Sequence, residues 1–169
     1  MKERVREAVF NLLGPAVKGL AVIDLFAGTG AMSFEAISRG AASAILIERN
    51  FPNVRVIEEN AAALGIVSQV TVKAGDTFFV HQQLDLPTGP WLVFCCPPYA
   101  LFDEACEDLL KLIKRFCNAA PPGSLIAVEA DERFDFNQLP DADAWDVRSY
   151  PPAIIGIFEQ TMQRKGLTD

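Results

Sequence analysis

The chain has 169 residues, 50% of them hydrophobic, which lets one domain spanning 1–169 bury a substantial core and gives no reason for two. With 22 acidic against 15 basic side chains the net charge is −7, which excludes a protein that grips naked nucleic acid by phosphate neutralisation alone but leaves room for a local basic patch. No apolar run could cross a bilayer without a charge, and the start, Met1-Lys2-Glu3-Arg4-Val5-Arg6-Glu7, lacks the layout of a signal peptide, so a cytoplasmic protein with no membrane partner is expected.

Glu3 to Leu13 places Val5, Val9, Leu12 and Leu13 on one face of an amphipathic helix, which Gly14-Pro15 ends. Val22-Ile23-Asp24-Leu25-Phe26 then reads as a strand covered on both faces. It runs into Ala27-Gly28-Thr29-Gly30, and helical spacing resumes at Ala31. Gly28 and Gly30 permit positive φ and let a ligand approach the backbone, while the first amides of the next helix stay free to donate.

Ala44 to Glu48 is a second buried strand, followed by a helix from Pro52 to Leu64 with Val56, Ile57, Ala61 and Leu64 facing the core. Gln69 to Lys73 makes a third strand leading to Gly75-Asp76. Trp91 to Cys95 makes a fourth, which enters Cys96-Pro97-Pro98-Tyr99 directly. A helix from Phe102 to Phe116 and a strand from Ser124 to Glu129 complete an alternation that predicts an α/β fold, a mostly parallel sheet with helices on both faces. Trp145–Tyr150 and Ile154–Gln160 are separated only by Pro151-Pro152-Ala153. A link that short forbids a parallel crossover, so this pair is expected to lie antiparallel at one edge.

Ligands of such sheets bind outside the C-terminal strand ends, where strand order reverses. Asp24, the glycine turn, Glu48, Asp76 and Cys96 to Tyr99 all fall at those ends. Glu48, about twenty residues past the glycines, is placed to accept from ribose hydroxyls. Asp76 serves equally well as a helix N-cap. The four cysteines lack metal-ligand spacing and read as reduced thiols, with no metal expected. His81, beside Gln82 and Gln83, reads as exposed and inert.

Asp24-x-Phe26-x-Gly28-x-Gly30, Glu48, Gly75-Asp76 and Pro97-Pro98-Tyr99, in this order, resemble the class I S-adenosylmethionine methyltransferases, a Rossmann-like fold. Arg4-Val5-Arg6-Glu7-x-x-Phe10-Asn11, Ser38-Arg39-Gly40-Ala41 and Val128-Glu129 narrow the resemblance to the RsmD family, bacterial guanine-N2 methyltransferases of small-subunit (16S) ribosomal RNA. The resemblance covers nearly the whole chain from Glu3. It implies that Asp24, Gly28 and Gly30 line the methionine half of S-adenosylmethionine, Glu48 the ribose and Asp76 the adenine amino group. Phe26, Ala27, Arg49 and Thr77 complete the implied cofactor set. Cys96, Pro97, Pro98 and Tyr99 occupy the family's Asp-Pro-Pro-(Phe/Tyr) motif, which holds the target base, with Tyr99 stacking on it.

Two departures accompany the resemblance. Cys96, a thiol and weak acceptor, stands where the motif has aspartate. The Pro97 carbonyl remains as an acceptor, and Asp103 or Glu104 are candidates to supply a carboxylate. The family's N-terminal Arg-Pro-Thr element has no counterpart ahead of the first helix, and Pro151-Pro152-Ala153 stands where a basic residue and glycine are usual. An active methyltransferase is therefore set against a degenerate relative that binds S-adenosylmethionine, RNA or protein without methyl transfer. The net acidity favours an assembled small ribosomal subunit over free RNA as substrate, and nothing in the sequence demands more than a monomer.

Overall fold

The computed structural model describes residues 3–161. Apolar runs bounded by glycine, proline and asparagine become strands β1 (Ala21–Asp24), β2 (Ser43–Glu48), β3 (Val70–Ala74), β4 (Trp91–Cys95), β5 (Leu125–Asp131), β6 (Trp145–Tyr150) and β7 (Ala153–Glu159). They form one sheet in the order β3-β2-β1-β4-β5-β7-β6. The first five run parallel, and β7 is antiparallel to both β5 and β6. The expected mostly parallel sheet with an antiparallel C-terminal pair is thus present, and the strand order reverses beside β1, between β2 and β4.

The helices are α1 (Glu3–Leu13), α2 (Ala31–Ser38), α3 (Phe51–Ala63), α4 (Thr77–Val80), α5 (Leu101–Glu104) and α6 (Cys106–Ala119). Strand alternation sends Ile23, Val93 and Ile126 into one apolar layer with Leu109, Ile113 and Phe116 of α6. Val22, Leu92 and Ala127 enter the opposite layer with Val9 and Phe10 of α1 and Ala36 of α2. Phe10 is fully buried, its ring meeting Phe94 edge-on with centroids 5.7 Å apart, while the Arg39 guanidinium lies 4.9 Å over its other side.

Several local expectations need correction. α3 buries Val54, Ile57 and Ala61, whereas Val56 and Leu64 face solvent, because the helix begins at Phe51 and the apolar stripe is narrower than the composition suggests. The helix expected over Phe102–Phe116 is two helices, broken at Ala105 with φ −141°, and Asp103 and Glu104 ride on the short first piece. His81 is buried rather than exposed, its Nδ1 donating to the Thr77 carbonyl at 2.7 Å. All four cysteines are free, Cys95 and Cys117 buried and Cys96 and Cys106 half-buried.

Phe10 couples α1 to the sheet, so Phe10→Ala should cost about 3–5 kcal/mol by leaving a cavity between α1 and β4. A urea unfolding curve checks this, with the midpoint expected to fall and the slope to stay the same.

Candidate active site

β1 ends where its neighbours diverge, and the chain turns there through Gly28 at φ 57° and Gly30 at φ 84°. A Cβ at Gly30 would come within 2.9 Å of the Phe34 ring, so close packing of α2 on the sheet requires glycine. A Cβ at Gly28 would meet nothing within 4 Å, which leaves open space above its backbone. The half-buried Glu48, at the end of β2, accepts from the Gly28 amide through Oε2 at 2.7 Å and from the Asn50 amide through Oε1 at 2.7 Å. The carboxylate therefore holds the glycine turn of β1 against the end of β2.

Asp24 lies under that turn, 2% exposed, with Oδ2 accepting from Ser33 Oγ at 2.9 Å. Burial pushes its carboxyl up from 3.8 to about 7, against the opposing effect of hydrogen bonds from Ser33 and the Phe26 backbone. Asp24 thus fastens α2 to β1 from behind.

A cavity of about 770 Å³ opens across the C-terminal ends of β1 to β5. Phe26, Gly28, Glu48, Arg49, Asp76 and Thr77 of the expected cofactor set line it, and so do Cys96, Pro97, Pro98 and Tyr99. Asp24, Ala27 and Gly30 do not line it: all three are buried, and the Asp24 carboxylate is turned to Ser33. Asp103 and Glu104 are also outside it, and Asp103 is engaged by Arg133 Nη1 at 2.9 Å.

On the β2–β3 side the wall is apolar, with Ile47, Phe26 and Phe78, the two rings edge-on at 6.2 Å. Asp76 caps α4, its Oδ1 accepting from the Phe78 amide at 2.9 Å, so the N-cap reading is realised while Oδ2 is left over. Thr77 Oγ1 is buried without a hydrogen-bond partner, and its residue lines the same space. A buried hydroxyl in that condition is costly unless something completes it.

On the β4–β5 side, the Pro98 and Tyr99 carbonyls accept from the Leu101 and Phe102 amides, which fixes the turn leading into α5. Tyr99 Oη donates to Glu129 Oε1 at 2.7 Å. Glu129 of β5, 5% exposed, lines the cavity as well. Its place in the cavity escapes sequence reasoning, although a carboxylate directly after the apolar run Leu125–Val128 is a signal of the same kind that exposed Asp24. Burial pushes the Cys96 thiol well above its ordinary range, reinforced by Glu129 and Asp24 nearby, so Cys96 is a neutral thiol.

The fold and the pocket at its switch point define a Rossmann-like methyltransferase domain. The family described as conserved hypothetical protein 95 matches residues 1–150, and the chain belongs to that family. YlbH of Bacillus subtilis is 30% identical over 126 residues, 74% of this chain and 67% of that protein. Ribosomal RNA small subunit methyltransferase D of Escherichia coli is 36% identical over 97 residues, 57% of this chain and 48% of that protein, so the chain matches about half of that relative's length. A solved RNA methyltransferase from Salinibacter ruber in complex with S-adenosyl-L-homocysteine shares the fold with a TM-score of 0.68 at 17% identity, covering 100% of this chain and 99% of that one. Among the described residues no helix is long and apolar enough to cross a membrane.

The Asp24 carboxyl binds more protons folded than unfolded between about pH 4, near its ordinary 3.8, and its folded value of about 7. Stability should therefore fall as pH rises through that window and level off above it, by up to about 1.4 kcal/mol for each unit of the difference. Urea unfolding at several pH values should show this slope in the wild-type protein and lose it in Asp24→Asn.

Proposed function

We propose that this chain transfers a methyl group from S-adenosylmethionine to the exocyclic N2 amine of a guanine in small-subunit ribosomal RNA, with the assembled small subunit in the cytoplasm as substrate and the enzyme working as a monomer. The observation that carries the reading is that one cavity joins a ribose-type acceptor, Glu48, to a Pro-Pro-Tyr turn at the end of β4. The names of the curated relatives agree with it.

The pocket suits the cofactor in each of its parts. Glu48 keeps lone pairs for two ribose hydroxyls after binding Gly28 and Asn50. Phe26, Ile47 and Phe78 form an apolar slot for a purine. Asp76 Oδ2 is left to accept from an adenine amine, and the Thr77 hydroxyl gains a partner. The open space over Gly28 admits the methionine part against the backbone. Once bound, S-adenosylmethionine supplies an electrophilic methyl on a sulfonium.

The chain's own residues must present the other reactant. A guanine N2 amine is a poor nucleophile because its lone pair is delocalised into the ring. Acceptors on its hydrogens favour the tetrahedral nitrogen whose lone pair can attack. The Pro97 carbonyl is one such acceptor, and Tyr99 offers a ring face for a flipped base. Holding both partners in line within a walled cavity supplies most of the acceleration.

Glu48→Gln should weaken S-adenosylmethionine binding about tenfold to a hundredfold, the effect of losing hydrogen bonds to a charged group, as read by titration calorimetry. The function itself is tested with labelled S-adenosylmethionine and small ribosomal subunits from a strain lacking the modification. Label at a guanine N2 is expected. A protein that binds the cofactor yet labels nothing overturns the proposal.

A further inference from the structure

The Pro-Pro-Tyr turn after β4 opens on the thiol of Cys96, yet the site still holds a carboxylate. β4 and β5 are parallel neighbours with Cys95 opposite Val128, so continuing the register sets Cys96 beside Glu129. Phe94 and Ala127, two residues earlier on each strand, share one apolar layer, so Cys96 and Glu129 leave the sheet on the same face. Both line the cavity. Glutamate is one methylene longer than aspartate, which suits a carboxylate that must reach across from the adjacent strand.

The surroundings of Glu129 make a purely structural role a poor explanation. It is 5% exposed, and among the described residues it forms no salt bridge. Its single side-chain hydrogen bond is the one that Oε1 accepts from Tyr99, which leaves Oε2 without a partner. Unlike the Thr77 hydroxyl, this unused oxygen is not shut away from solvent, so it opens onto the cavity that Glu129 lines. The Tyr99 bond fixes its orientation, and Tyr99 belongs to the same turn that the proposed function sets against the base.

We infer that Glu129 of β5, beside the turn that follows β4, supplies the carboxylate acceptor for the target amine. The inference rests on the proposed function, since it names the residue that completes that site. Glu129 Oε2 accepts a hydrogen bond from one N2 hydrogen and biases the nitrogen toward its tetrahedral form. The N2 lone pair forms the new N–C bond as the S–C bond of the methyl donor breaks, and that bond's electron pair stays on sulfur. The proton released by the methylated nitrogen passes to the Glu129 carboxylate and then to water, which leaves a neutral N-methyl amine.

The test compares wild type, Glu129→Gln, Cys96→Asp and the double variant in three measurements. These are the single-turnover methyl-transfer rate on unmodified small subunits, the dissociation constant for S-adenosylhomocysteine, and the thermal midpoint of the free protein. Glu129→Gln should lower the rate about a hundredfold to a thousandfold, by comparison with removing one aligned hydrogen-bonding group at a reacting centre. Its dissociation constant should stay within about threefold of wild type, since RT ln 3 is under 1 kcal/mol. Its midpoint should stay near that of wild type, because the glutamine side-chain oxygen can still accept from Tyr99. Cys96→Asp should restore at least about tenfold of the lost rate in the Glu129→Gln background.

A Glu129→Gln protein that keeps wild-type speed overturns the inference. So does a rate loss accompanied by equally weakened cofactor binding or a lowered midpoint, which would make Glu129 part of the scaffold. An inactive wild type with an active Cys96→Asp variant overturns the role of Glu129 while the substrate reading stands. Inactivity of both, with cofactor bound, removes the proposed function itself.

Discussion

The Glu48 carboxylate is the contact on which the pocket depends. Its two oxygens take the Gly28 and Asn50 amides at 2.7 Å each, joining the ends of two adjacent strands where they begin to part. Charge-assisted bonds of this kind are worth more than neutral ones, and they are made here by a side chain still half open to the cavity. One group therefore shapes the glycine turn and also faces the space that the turn encloses. Without it, the gap at the switch point would lack a fixed rim.

Around that rim the sheet carries its acids in different physical states. Asp24 is shut away beneath the turn, where desolvation keeps its proton available near neutrality. Glu129 is buried too, but it opens onto the cavity and is held by a phenol rather than a cation. Asp76 is taken up as a helix cap. Side chains that look alike in the sequence thus divide into one bonded to a neighbouring helix, one that lines the cavity and one that caps a short helix. The division follows from burial and hydrogen-bond partners alone.

The large features of the fold were legible because period and punctuation are strong in this chain. β4 runs over Trp91–Cys95 as its apolar run requires, and the short link through Pro151-Pro152 dictated the antiparallel pair. The helical details were harder to read. Ala105 interrupts α5 and α6 by a backbone change that no glycine or proline announces, and the buried face of α3 depends on where its cap, Asn50, starts the helix. At the strand ends, the placement of Cys96 to Tyr99 and Glu48 around one cavity was readable by position. The bond between Asp24 and Ser33 was not readable, because a strand end does not reveal which side of the turn its side chain takes. The nearness of Glu129 to Cys96 was invisible because it arises from the register between β4 and β5, not from local sequence.

The bond from Tyr99 to Glu129 has a consequence for entropy. An aromatic ring has only two side-chain torsions, and fastening its tip removes most of the freedom that they retain. The ordering that a flat partner would otherwise impose on arrival is already complete in the folded chain. A planar group that settles on this ring meets a surface with one orientation, so more of the contact energy is left to hold it there.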